Sequence, residues 1–142
     1  MLSKIKCVLL FGQFFLFFNC IGQDNSELIE RTILRFYSEY VKNFQNVENR
    51  NIDSVRMKFS TECLINKLSS VELDFDPYIN AQDCDSTLVK TLKVRFRRNN
   101  IALIQYGEGK YRYKILMKLV FSEDKWLIDG LKLGRKFKLG CW

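Results

Sequence analysis

The sequence contains no histidine, and only one proline and seven glycines among 142 residues. Without histidine there is no Ser-His-Asp triad, no Cys-His dyad, no His-ligated zinc and no c-type haem attachment site. Scarce glycine and proline exclude collagen-like, low-complexity and disordered-linker chains. A long apolar run is also missing after the first twenty or so residues, so the remainder has nothing with which to span a membrane. What is present is 47% hydrophobic residues, sufficient for one core in a chain too short for two. Lys and Arg total 23 against 16 Asp and Glu, a formal net charge of +7.

Residues 1–22 have the form of an export signal. Lys4 and Lys6 supply a positive start, and Cys7 to Phe18 form an apolar stretch interrupted by Gln13. That stretch is about 12 residues, whereas a transmembrane helix needs roughly 20. Two processing routes are open. Cleavage after Gly22 would use Cys20 and Gly22 as the small residues before the cut and start the mature chain at Gln23. Lipidation of Cys20 would instead anchor it, although Phe17-Phe18-Asn19 departs from the small residues that usually precede a lipidated cysteine. Both routes place residues 23–142, read as one domain, outside the cytoplasm, in the periplasm or on the envelope.

Ser26 is the expected N-cap of a first helix, with Glu27 and Glu30 in its first turn. Ile29, Ile33, Phe36, Tyr37, Tyr40 and Phe44 recur at helical spacing and extend that helix to about residue 45. A second helix is expected from Asp53 to Leu68. The period then changes to two. Leu92, Val94 and Phe96 alternate with Lys93, Arg95 and Arg97, and Ile101–Tyr106 forms a short strand after the Asn99-Asn100 turn. A long alternating strand from Tyr111 to Phe121 and a last strand from Trp126 to Leu133 complete the pattern. Helices first and an antiparallel meander afterwards predict an α+β domain, with the helices on one face of the sheet.

The runs FYSEYVKNF, KFSTECLINKLSS, LDFDPYINAQDCD and KWLIDGLKL resemble a family of small exported proteins of unknown function in Gram-negative bacteria, Bacteroidetes among them, often lipoproteins. The order of elements is similar to the cone-shaped nuclear-transport-factor-two-like fold. The resemblance covers residues 28–133 and implies N-terminal helices packed on a curled antiparallel sheet. It brings no catalytic residues with it.

Two constellations are candidate binding features. Asp74, Asp76, Asp83 and Asp85 fall within twelve residues, alongside Tyr78 and Asn80. Such oxygens suit a hard cation, but Pro77 and Tyr78 stand where an EF-hand needs ligands and no glycine supplies its turn. The expected role of the loop is to cap turns and balance the basic sheet, with no metal or cofactor. The second constellation is electrostatic. Residues 23–85 carry 12 acids against 7 bases, and residues 86–142 carry 14 bases against 4 acids. Alternation puts Lys93, Arg95 and Arg97 on one face of a strand, and Arg112, Lys114 and Lys118 on the corresponding face of another. Arg135, Lys136 and Lys138 follow in the tail. Such a face attracts anionic partners, and export favours an acidic protein, an anionic lipid headgroup or an anionic glycan over nucleic acid. Lysines on a sheet also guard against edge aggregation.

Of Cys63, Cys84 and Cys141, which remain after cleavage, only two can pair. A Cys63–Cys84 bridge is expected, closing a loop of about 20 residues and contributing roughly 3 kcal/mol in the chain-entropy model. Cys141 would then be free or intermolecular. An enzyme is not expected. Tyr40, Tyr111 and Tyr113 with a loop aspartate form the one conceivable acid–base set, and no inward Asp, Glu or Lys interrupts the long strand. The expectation is a non-catalytic exported protein that binds an acidic protein partner, as an immunity protein neutralises an antibacterial toxin. Binding of a small ligand or lipid in the cone pocket is the alternative, and a membrane is reached only through lipidation at Cys20.

Overall fold

The computed structural model describes residues 21–46, 51–134 and 137–142. The expected signal segment up to Cys20 and the tail pair Arg135 and Lys136 lie outside the described residues. Helix α1 (Ile21–Gln45) is followed by α2 (Ile52–Phe59), α3 (Glu62–Ser69) and the short α4 (Thr87–Thr91). Five strands follow: β1 (Lys93–Arg97), β2 (Ile101–Tyr106), β3 (Tyr113–Ser122), β4 (Lys125–Leu133) and β5 (Phe137–Gly140). The strands pair in sequence order, every neighbour antiparallel, as the α+β reading requires.

Helix α1 forms because one stripe of it is apolar. Ile29, Ile33, Phe36, Tyr37, Tyr40 and Val41 are buried along it. On its wet side Glu27–Arg31 and Arg35–Glu39 pair across one turn at 2.5 and 3.0 Å. Its described part runs from Ile21, ahead of the expected cap Ser26.

The expected second helix is two. Ser60 adopts an extended backbone and bridges β4 at Ile128, and the Thr61 amide donates to the Ile128 carbonyl at 2.9 Å. Backbone pairing with the sheet outweighs helix continuity here. Each half starts on a side-chain cap: Asn51 Oδ1 accepts from the Ser54 amide, and Thr61 Oγ1 from the Leu64 amide.

Along the sheet the alternation sorts two faces. Ala102, Ile104, Tyr106, Ile115, Met117, Leu119, Ile128, Leu131, Leu133 and Leu139 point to the helices and make the core. Each Ile, Leu or Met among them contributes roughly 1.5–3 kcal/mol by leaving water. Phe36, Tyr37, Tyr40, Phe59 and Tyr78 interlock above them, with neighbouring ring centroids 5.0–5.8 Å apart. The β1–β2 connection is three residues between the paired Arg97 and Ile101, and it holds Asn99 and Asn100 at φ 60° and 56°, a left-handed conformation that asparagine tolerates. Two further differences concern strand ends. The long strand starts at Tyr113, leaving Tyr111 and Arg112 in the preceding turn region, and Trp126–Leu133 is not last, because β5 pairs beside it.

Candidate functional site

The acidic loop is tied inward. Asp76, its side chain only 8% exposed, accepts at one oxygen from the Tyr40 hydroxyl and from Arg56 Nη2, the latter at 2.9 Å. Its other oxygen accepts from the Tyr78 amide at 2.9 Å. Tyr78 is itself fully buried: its carbonyl accepts from the Tyr37 hydroxyl at 2.7 Å, and its hydroxyl meets Ser60 Oγ at 2.7 Å. Burial, reinforced by the Asp76 charge, pushes the Tyr40 hydroxyl far above its ordinary pKa. Burial does the same for Tyr37 and Tyr78. Tyr40 is therefore a fixed donor to Asp76.

The remaining loop carboxylates serve local turns. Asp83 accepts from the Cys84 amide at 2.8 Å and Asp85 from the Thr87 amide at 2.8 Å. The Thr87 bonds hold the Asp85 carboxyl below its usual pKa. Asp74 is exposed, and its carbonyl accepts from Gln82. Among the described residues, no three of these carboxylates gather within 4.8 Å. Asp76 thus holds the loop on α1 and α2, while Asp83 and Asp85 cap its own turns.

The basic residues do come together. Antiparallel register aligns Arg95, Leu103, Leu116, Lys132 and Lys138 in one row across all five strands. Lys93, Gln105 and Lys114 form the row on one side of it, and Arg97, Ile101 and Lys118 the row on the other. These side chains share the face of the sheet that points away from the helices. Asp129 is the only acid in the five strands, and it is buried and paired with Lys118 at 3.0 Å. Half-buried Ile101, Leu103 and Leu116 make an aliphatic strip between the cations. At one end Lys93, Arg95, Gln105 and Arg112 line a notch of about 110 Å³ with Thr91, Tyr106 and Gly107. Arg112 joins the basic residues although it stands outside β3.

The Lys118 ammonium donates to Asp129 Oδ2 at 3.0 Å and to the Cys141 carbonyl at 2.5 Å. Asp129 Oδ1 accepts from Thr61 at 3.0 Å. A register shift in β3–β4 opposite Lys118 and Leu119 places Asp129 there. Lys118 thus braces the C-terminus.

The cysteine expectation is corrected. Cys63 on α3 joins Cys141, with Cα atoms 6.4 Å apart, and not Cys84. The chain after β5 returns beside the start of α3, a long-range approach that sequence spacing does not reveal.

A second concavity of about 560 Å³ lies where the loop meets the β2–β3 connection, lined by Asp83, Cys84, Asp85, Tyr106, Tyr111 and Tyr113 among others. Tyr106 and Tyr113 stack there with centroids 5.0 Å apart. Tyr40 belongs to the buried network instead, so Tyr40, Tyr111 and Tyr113 do not form one set.

Two solved structures share this fold. One is a protein of unknown function from Bacteroides thetaiotaomicron VPI-5482, 27% identical, covering 78% of this chain and 95% of its own, with a TM-score of 0.65. The other is a chain of the type VI native effector-immunity complex Tae3-Tai3 from Ralstonia pickettii, 14% identical, covering 76% of this chain and 96% of its own, with a TM-score of 0.58. No protein-family model and no curated protein matches the sequence. Among the described residues no helix is long and apolar enough to cross a membrane.

Proposed function

We propose that this protein is a non-catalytic, exported binding protein whose partner is another protein, in the manner of an immunity protein that neutralises an antibacterial toxin. The observation that carries the reading is the bare sheet face, where cations surround a half-buried aliphatic strip and the one strand acid is already neutralised. An apolar centre within a charged rim is the anatomy of a protein–protein interface. The likeness to a chain of an effector-immunity complex supports it at the level of the fold.

Export belongs to the same proposal. Residues 1–22 act as the signal, the mature domain sits in the periplasm or on the envelope, and a Cys63–Cys141 disulfide suits that compartment. Lipidation at Cys20 is the anchored version of it. We also assign the helices and sheet to the cone-shaped nuclear-transport-factor-two-like class. The 27% identical Bacteroides protein supports the resemblance to small Bacteroidetes proteins.

The test is affinity purification of the tagged, exported protein from its own envelope, with mass spectrometry of its mature N-terminus. A stoichiometric protein partner and a chain starting at Gln23, or at a lipidated Cys20, is the expected result. A co-purifying lipid or small molecule without a protein would instead favour the concavity lined by Tyr106, Tyr111 and Tyr113.

A further inference from the structure

We propose that the notch lined by Lys93, Arg95, Gln105 and Arg112 seats a carboxylate of an acidic protein partner, with the adjoining Leu103 and Leu116 packing against apolar side chains beside that carboxylate. The inference rests on the protein-binding reading and gives it an address and a chemistry.

Three observations converge. First, three cationic side chains and the Gln105 amide line a volume of about 110 Å³. That suits one carboxylate and is far below the several hundred Å³ of a drug-sized ligand site. Guanidinium forks of Arg95 and Arg112 match a carboxylate in two-pronged geometry. Second, the walls are held. The Gly107 amide donates to Thr91 Oγ1 at 2.9 Å, and Thr91 donates to the Thr87 carbonyl at 2.8 Å, so α4 is fastened to the end of β2. Gly107 itself sits at φ +82°, where a Cβ would lie 2.1 Å from the Tyr111 carbonyl oxygen, so the turn that presents Arg112 requires glycine.

Third, the surroundings choose the partner class. The row crossing the sheet at Arg95 continues through Leu103 and Leu116 to Lys132 and Lys138. Single-stranded nucleic acid is gripped by aromatic platforms along a basic groove. Here the centre of the face is aliphatic instead. A membrane surface would engage cations at the rim and leave a recessed carboxylate notch without a use. An acidic side chain flanked by leucine-like residues fits both parts, and opposite charge steers its approach.

The experiment uses an alternating Glu-Leu octapeptide as probe, titrated into the isotopically labelled mature protein at physiological salt and followed by NMR. Shifts are expected to concentrate on Lys93, Arg95, Leu103, Gln105, Arg112 and Leu116. R95A/R112A is expected to weaken binding by about tenfold, and L103E by a similar factor, since both a charge contact and apolar contact are required. Arg95 and Arg112 are exposed, so that double variant keeps its fold, checked by an unchanged thermal melt. Inorganic phosphate, a heparin oligosaccharide and phosphatidylglycerol vesicles are run alongside. Vesicles or heparin binding more tightly than the peptide through the same arginines would overturn the choice of an acidic protein. Shifts elsewhere, or R95A/R112A binding as wild type, would overturn the notch.

The two readings fail separately. A protein captured from the envelope that binds R95E/R112E as well as wild type overturns the notch and leaves protein binding standing. Peptide binding at the notch with no protein captured from the envelope overturns the protein-binding reading, and with it the partner proposed here.

Discussion

Arg56 Nη2 lies 2.9 Å from Asp76 Oδ2, joining the middle of α2 to a loop twenty residues further on. The same carboxylate oxygen accepts from Tyr40 on α1, so three segments meet at one atom. Arg56 also stacks over the Tyr40 and Tyr78 rings, at 5.8 and 5.6 Å from their centroids. Its planar group satisfies charge and aromatic faces together.

Removing either end should therefore loosen the loop as a unit. R56M is expected to lower unfolding free energy by about 3 kcal/mol, because it leaves the buried Asp76 carboxylate without a counter-charge. D76N should lower it by less, because Arg56 keeps its pair with exposed Asp53 at 3.1 Å. The double variant should lose much less than the sum, since neither charge is then left alone. Urea unfolding of the four proteins checks this, and additive losses would show that the two groups act independently.

How much of this was legible in sequence depends on range. The stripe of α1 and the alternation of β2 and β3 are local patterns and read directly as burial, whereas edge strand β1 leaves Phe96 exposed and β4 is buried along nearly its whole length. The basic face was legible for the same reason, because period two fixes which side chains share a side. The split at Ser60 left a local trace, since Thr61 followed by Glu62 is a cap and a first-turn acid. The tertiary bridge to Ile128 that enforces the split left none. Tyr40 with Asp76, Lys118 with Asp129 and Cys63 with Cys141 all depend on where the chain returns, and no spacing rule encodes that.

The disulfide spans 78 positions. In the chain-entropy model a loop of that length constrains the unfolded chain by about 4 kcal/mol, more than a bridge to Cys84 would have given. C63S/C141S is expected to lose about that amount in urea unfolding, and reduction of the wild type to give a comparable loss. Non-reducing peptide mapping should recover the Cys63–Cys141 pair in wild type and in C84S alike. Recovery of Cys63 linked to Cys84 would refute the pairing.

Alkaline pH should unfold the protein through its buried phenols. Burial raises the folded-state pKa of Tyr37, Tyr40, Tyr78 and Tyr106 above the ordinary value of 10.0. A raised value means their stabilisation is complete below pH 10, where the unfolded phenol begins to ionise. Above it, stability falls as the unfolded chain gives up protons that the folded chain retains. Tyrosinate absorbance from these four is expected to appear together with loss of near-ultraviolet circular dichroism, not ahead of it. Y78F should shift that midpoint upward, provided its lost contact with Ser60 is separated by comparing stabilities at neutral pH.

Lys118 and Asp129 give the clearest separation between bracing and docking. The ammonium holds Asp129 and the Cys141 carbonyl, and the Trp142 indole N–H donates to the Leu139 carbonyl at 2.9 Å beside them. K118M removes the charge and leaves Asp129 buried with Thr61 as its remaining side-chain donor. It should cost about 2–3 kcal/mol of stability, in line with an uncompensated buried carboxylate. D129N/K118M should recover part of that loss. Neither change is expected to weaken the Glu-Leu peptide, because the notch lies in the row of Lys93 and Gln105, at the other side of the Arg95–Leu103–Leu116 row. R95A/R112A should behave in the opposite way, with unaltered urea unfolding and weakened peptide binding. If K118M instead abolished peptide binding while leaving stability intact, the lysine would be a docking residue and the brace would be incidental.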